Sequence, residues 1–178
     1  EENDPKIKKL LDEVKDREFI GFSYDGADAS FELLARRIIG EIPRFILINE
    51  YDVSVKKDKT GEIISYAKAQ LEVDGDKILC EGKGNGPVNA LDNAIRKNVN
   101  KLAKYSEYLK DLRLVDYKVR ILNTGTEAVT RVSIESTDSK GINWFTIGVS
   151  PNIIEASFKA LVDSLDYKLF KDKAPGSS

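Results

Sequence analysis

The residues best placed to hold a ligand are backbone groups rather than reactive side chains. Between Gly82 and Pro87 the chain reads GKGNGP and runs on into VNALDNA. Glycines at Gly82, Gly84 and Gly86 permit positive φ and close backbone approach. Pro87 suits the first turn of a helix, where its missing N–H costs nothing. The free N–H groups of such a turn fit a carboxylate or a phosphate. The spacing is neither GxGxxG nor a Walker loop, so a nucleotide is not the expected ligand. The plain alternative is a tight strand-to-helix turn that binds nothing. A later junction, IGVSPNIIEASFKAL at Ile147–Leu161, repeats the order of extended run, Gly/Ser/Pro turn and amphipathic helix.

Side-chain chemistry is sparse. The chain has no His, which removes the commonest general base and the commonest metal ligand together. Cys80 has no His to activate it as a nucleophile and reads as a small core residue. Tyr117 in the run DYKVRIL offers a hydroxyl to a ligand or an interface, or is simply a half-buried sheet tyrosine. Asp25, Asp28, Asp111 and Asp116 are scattered and read as caps and solvated positions, not as a metal cluster. Lys97, Lys101 and Lys104 fall on one helical stripe. That admits a double-stranded RNA binder, against the simpler reading of a solvated face.

The composition favours the simpler reading. Twenty-eight basic residues face 30 acidic ones in a chain of 178, for a formal net charge of -2. A nucleic-acid binder usually shows a basic surplus, and no polybasic stretch addresses a membrane. A lone Cys cannot form an internal disulfide and points to a reducing, cytoplasmic setting. There is no Met, even at position 1, so a piece of a longer protein is expected.

The elements that position these residues follow from periodicity. Ile7, Leu10, Leu11 and Val14 predict a helix over Pro5–Phe19. Phe31, Leu34, Ala35 and Ile38 predict a second from Asp28 to Ile39, with Arg36 and Arg37 turned away. From Phe45 the period becomes two. Strands are expected over Phe45–Val55, Ile63–Val73 and Lys77–Glu81, joined by a loop at Lys56–Glu62 and a tight turn at Asp74-Gly75-Asp76. A helix then follows Pro87, with Val88, Leu91, Ile95, Val99 and Leu102 as its stripe. The order repeats: strands at Leu114–Leu122, Glu127–Ser136 and Asn143–Val149, turns at Asn123-Thr124-Gly125 and Asp138–Gly141, then a helix carrying Ile154, Phe158, Leu161, Leu165 and Leu169. The expected fold is α+β, a duplicated βββα module preceded by a helical linker. Its divisions are a linker over 1–43, the duplicated module over 44–170 and a disordered tail over 171–178. Six strands and two helices leave a face for a partner, which symmetric dimerisation would cover.

With these residues in view, the chain resembles the C-terminal regulatory domain of the isopropylmalate synthase and citramalate synthase family. The stretches that carry the resemblance are GKGNGPVNALDNAIRK, LVDYKVRILNTGTEAVTRVSIES and WFTIGVSPNIIEASFKALVDSLDYKL. Upstream, GFSYDGADASFELLARR is similar to the linker of the citramalate synthase branch. The resemblance implies an enzyme that joins acetyl-CoA to a 2-oxo acid, pyruvate in the citramalate case. The chemistry would take place in an N-terminal (β/α)8 barrel whose divalent metal is held by an acid and two histidines. No cofactor is then expected in this chain, and it is expected to be inactive alone.

The resemblance also implies a homodimer joined to the catalytic barrel of the same polypeptide, with no nucleic-acid or membrane partner. The pathway's end product would bind near the dimer interface: isoleucine for a citramalate synthase, leucine for an isopropylmalate synthase. Carried onto this sequence, the effector residues are Asn85, Gly86, Pro87 and Val88 in the turn, and Leu114, Tyr117 and Ile121 on a strand. A wall from the next strand is Ala128 or Val132, and Gly148–Ser150 is a further candidate. A spacing of three puts Leu114 and Tyr117 on opposite faces of a regular strand, so a bulge or a late strand start is needed. The alternatives are a purely structural dimerisation module, an RNA-binding domain, and an independent enzyme, which the missing His argues against.

Overall fold

A computed structural model describes residues 4–122 and 128–178. The expected turn at Asn123-Thr124-Gly125 lies outside the described residues. The order is α1 (Pro5–Phe19), α2 (Asp28–Ile39), β1 (Leu47–Lys57), β2 (Ile63–Val73), β3 (Asp76–Gly84) and α3 (Pro87–Arg96). It continues with two short 3-10 turns, α4 (Ser106–Leu109), β4 (Arg113–Ile121), β5 (Thr130–Thr137), β6 (Asn143–Ser150) and α5 (Ile153–Lys171). The strands form two antiparallel sheets, ordered β1-β2-β3 and β4-β5-β6. The architecture is the expected α+β pair of βββα modules behind a helical segment.

The chain divides into two compact units that cut across the sequence order. Unit 1 is Glu1–Ile42 with Arg113–Tyr167, and unit 2 is Pro43–Leu112 with Lys168–Ser178. The N-terminal helices therefore belong with the second module.

In unit 2 the hairpin between β2 and β3 turns at Asp74 (φ 53) and Gly75 (φ 83), the paired left-handed geometry that matches strand twist. Alternation in β2 buries Ser65, Ala67, Ala69, Leu71 and Val73. α3 lies over that face, and Gly82 makes this possible: a Cβ there would collide with the backbone of Ala90 and Ala94. α3 stops at Arg96, short of the expected stripe to Leu102. Asn98 ends it by turning its amide back to the carbonyls of Ala94 (2.7 Å) and Glu81 (3.0 Å). Val99 and Leu102 are still buried, but from 3-10 turns.

Lys97, Lys101 and Lys104 consequently fall on separate turns and form no continuous basic stripe. Lys168 is buried in unit 2 between Asp111 (3.1 Å) and Asp172 (2.6 Å), so Asp111 is an ion-pair partner and not a solvated acid. Residues expected to form a disordered tail lie along this unit. Their carbonyls meet donors: Tyr105 Oη reaches Pro175 at 2.9 Å and Lys104 Nζ reaches Gly176 at 2.6 Å. Lys104 and Ser178 also hold the Asp74 carboxyl down to about 2.

In unit 1, α5 covers the β4-β5-β6 sheet. Thr146 Oγ1 donates to Ala160 O at 2.8 Å, and the Ser136 and Ser164 hydroxyls meet at 2.6 Å. Gly148 has the part that Gly82 has in unit 2, since a Cβ would strike the Ala156 carbonyl. α2 buries Ala29, Ser30, Leu33 and Leu34, a face shifted from the expected one, and Phe31 stays 40% exposed. The shift has a polar cause. Ser30 Oγ accepts from the Ile147 N–H (2.9 Å) and donates to Asp163 (2.8 Å). Arg37, expected to face solvent, instead bridges Asp163 (3.0 Å) and Asp166 (2.7 Å).

Candidate functional site

Of the two ways to bring Leu114 and Tyr117 to one face, a bulge or a late strand start, β4 has the bulge. Pairing between β4 and β5 shifts between Leu114 and Asp116, leaving Val115 as the extra residue. Leu114 then sits opposite Ser136, Tyr117 opposite Ile134, Val119 opposite Val132 and Ile121 opposite Thr130. Those partners alternate along β5 and all are buried, so Leu114, Tyr117 and Ile121 share the face that turns toward α5. Val132 lies in the middle of it. The face is incompletely covered: Ile121 is 68% exposed and Val119 is 38% exposed. Tyr117 Oη meets Ser157 Oγ at 2.8 Å, and Ser157 in turn donates to Ile153 O. Burial pushes the Tyr117 hydroxyl up from its ordinary value, with the Ser157 bond opposing.

The turn residues Asn85, Gly86, Pro87 and Val88 stand in unit 2 and the strand residues in unit 1. Gly86 is the N-cap of α3, with extended backbone (φ -156, ψ 167) and no side chain to cap the helix. Positive φ is not the reason for the glycines here. Gly82 and Gly84 are instead places where a Cβ would run into α3. At the second junction, Asn152 Oδ1 accepts from the N–H groups of Ile154 (2.8 Å) and Glu155 (3.2 Å). Ser150 Oγ accepts from the Asn152 N–H. Gly148–Ser150, expected as a turn, is instead the paired end of β6, and it leads through Pro151 and Asn152 into a helix end that its own chain satisfies.

The spacing of apolar, Tyr and apolar residues is itself duplicated, which the sequence reading missed. β1 carries Ile48, Tyr51 and Val55 at the same spacings of three and four. Its pairing with β2 shifts between Ile48 and Glu50, the same place relative to the tyrosine. Ile48 faces Leu71, Tyr51 faces Ala69 and Val55 faces Ser65. A search for the spacing before β1 was assigned would have found them. Unit 2 also has a shallow cavity of about 270 Å³ bordered by Glu50, Tyr51, Asp52, Lys68, Gln70 and Leu79. Its walls mix both signs of charge on the sheet's outer surface. Among the described residues no cluster of three or more acids or cysteines is arranged to hold a metal. No helix among them is long and apolar enough to cross a membrane.

The family model for the LeuA allosteric (dimerisation) domain matches residues 25–169. The chain belongs to that family. LeuA-domain relatives include the (R)-citramalate synthase of Aquifex aeolicus, 44% identical over 175 residues, or 97% of this chain and 32% of that protein. The (R)-citramalate synthase of Geobacter sulfurreducens is 42% identical over 173 residues, 96% of this chain and 32% of that protein. A 2-isopropylmalate synthase of Burkholderia pseudomallei is more distant, 35% identical over 118 residues, 66% of this chain and 20% of that protein. The chain thus spans about a third of the length of the citramalate synthases it matches.

Proposed function

We propose that this LeuA domain is the effector-binding and dimerisation part of a citramalate synthase that works in the cytoplasm, and that isoleucine is its effector. The observation that carries the reading is the match to citramalate synthases over 97% of the chain, against 66% for a 2-isopropylmalate synthase. In this reading the domain catalyses nothing alone. Condensation of acetyl-CoA with pyruvate belongs to a barrel joined to it in the same polypeptide, along with any divalent metal. The partly covered face of Leu114, Tyr117, Ile121 and Val132 accepts the branched side chain, which needs a small apolar wall. Effector binding favours one arrangement of a homodimer, and α1 and α2 pass the bias to the barrel. Such coupling is typically about 1–3 kcal/mol and reciprocal, so substrate must alter effector affinity in the intact enzyme.

Thermal unfolding with isoleucine, leucine and valine tests the reading. A ligand at about 100 times its dissociation constant adds roughly 2.7 kcal/mol when only the folded state binds. A rise with isoleucine that Ile121→Asp abolishes supports it. A larger rise with leucine moves the protein to the 2-isopropylmalate branch. No rise with any of them leaves a structural dimerisation module. Packing alone separates isoleucine from leucine by only about 1–3 kcal/mol, so all three must be run at matched concentration.

A further inference from the structure

We propose that the outer face of the β4-β5-β6 sheet carries a phosphate site, in which Arg120 and Arg131 hold the phosphate group between them and Lys118 and Ser133 complete it. The site lies apart from the effector face and does not rest on the effector reading.

The face follows from the register. Thr130, Val132, Ile134 and Ser136 turn toward α5 and are buried, so Arg131, Ser133 and Glu135 turn the other way. Arg131 stands directly opposite Arg120, and Ser133 directly opposite Lys118. Three cations therefore occupy neighbouring positions on one face. Like charges directly opposite one another destabilise a strand pair. Among the described residues the one ion pair in this group joins Lys118 to Asp116 at 3.0 Å, with the lysine largely in solvent. Arg131 Nε is buried and has no hydrogen-bond partner. A guanidinium carries donors only, so what it lacks is an acceptor. Gly21, just past α1, lies over the end of the face, where a Cβ would meet Leu122, Val129 and Val149. Val149 is the β6 partner of Arg131. An apolar cover thus stands beside the arginine pair, and a charge bound there is less screened than one in open water.

The first module shows the same place with its charges satisfied from within. With Tyr51 and Tyr117 as corresponding residues, Ser54 answers to Arg120 and Tyr66 to Arg131. There the two cations, Lys56 and Lys83, lie over the Tyr66 ring at 5.4 and 5.2 Å. The chain itself supplies their partner. The second module has a cation where the first has the ring, and leaves the pair to something from outside. Two guanidinium forks with an ammonium and a hydroxyl beside them suit the three acceptor oxygens and double charge of a phosphate group better than the two oxygens of a carboxylate.

Calorimetric titration at low ionic strength, where exposed charges are least screened, decides it. The probes are inorganic phosphate, AMP and, as a doubly charged carboxylate, malonate. The variants are Arg120→Gln, Arg131→Lys and Lys68→Gln, each first checked for an unchanged circular-dichroism spectrum. Arg120 is on the surface, and Arg131→Lys keeps the stem and the charge while losing the fork, so both should fold. The proposal expects one phosphate group per chain. Each arginine variant should weaken it about tenfold or more, as for a hydrogen bond to a charged group. Lys68→Gln, which removes an exposed charge from unit 2, should leave it unchanged. Tighter binding of AMP than of phosphate identifies a phosphate ester as the ligand, and the reverse identifies the free ion; either supports the site. Unchanged affinity in either folded arginine variant would overturn the proposal. Equal weakening in Lys68→Gln, or malonate bound as tightly as phosphate, would reduce it to general charge attraction and overturn it as well. So would the absence of both heat and a rise in melting temperature when the wild-type chain meets phosphate and AMP.

Discussion

Gly82 and Gly148 each sit beneath a helix that a Cβ would push away, but the residues that follow them diverge. Gly86 opens α3 with nothing to offer its N–H groups, while Asn152 opens α5 with its amide folded over the first turn. The facing strands show the same kinship and drift. Tyr117 is held by Ser157 on α5, whereas at the corresponding place on α3 the chain has Leu91, a buried apolar residue. Duplication preserved the packing contacts, which tolerate no added atom, and let the polar closure of the helix ends change. One module completes its own junction. The other opens its helix with no side-chain acceptor at the N-cap.

The largest effect expected from this comparison is at the shared glycines. Gly148→Ala and Gly82→Ala should each cost about 2 kcal/mol or more, as overpacking against backbone does, read as a fall of several degrees in melting temperature. If only one of the pair is sensitive, the modules do not share their packing. The caps come next. Asn152→Ala should cost about 1 kcal/mol. Gly86→Asp should add a few tenths of a kcal/mol, because the extended backbone at Gly86 already suits a capping side chain. A Gly86→Asp chain no more stable than wild type would break the contrast.

The smallest effect separates the units by pH. Burial pushes the Asp166 carboxyl in unit 1 from 3.8 up to about 7, with Arg37 opposing and Asp163 adding to the rise. The folded state then holds a proton that the unfolded state has lost. That contribution is complete below the ordinary carboxyl range and disappears as pH rises through about 7. With no His in the chain, few other groups titrate there. Melting temperature should fall modestly between about pH 6 and pH 8, and Asp166→Asn should flatten the profile. A slope unchanged by Asp166→Asn would place its cause elsewhere.

Much of the fold was legible because it rests on local pattern. Alternation in Ile63–Val73 and Asn143–Val149, the Asp74-Gly75 turn and the Pro87 helix start each have a cause within a few residues of themselves. The need for an irregularity between Leu114 and Tyr117 was legible too, since an odd spacing cannot share a regular strand face, but only the pairing shows it to be a bulge rather than a late strand start. The sequence hid whatever depends on distant partners. Arg37 reads as a solvent-facing charge until Asp163 and Asp166 are brought beside it. Asp111 reads as solvated until Lys168 is buried against it. Leu102 fits the α3 stripe, but Asn98 had two carbonyls to satisfy and ended the helix first.

The sequence alone determined the duplicated βββα order, the absence of histidine chemistry and the family, because periodicity, composition and motif spacing are properties of the chain. Only the tertiary structure decided which module each part joins. Residues 4–42 went to the second module and residues 168–178 to the first. It also decided which polar groups are left without a partner. Ser65 is an ordinary strand residue in the sequence and an unsatisfied hydroxyl in the fold. The reason is physical: burial and hydrogen bonding are sums over neighbours in space, and most of those neighbours are far away along the chain.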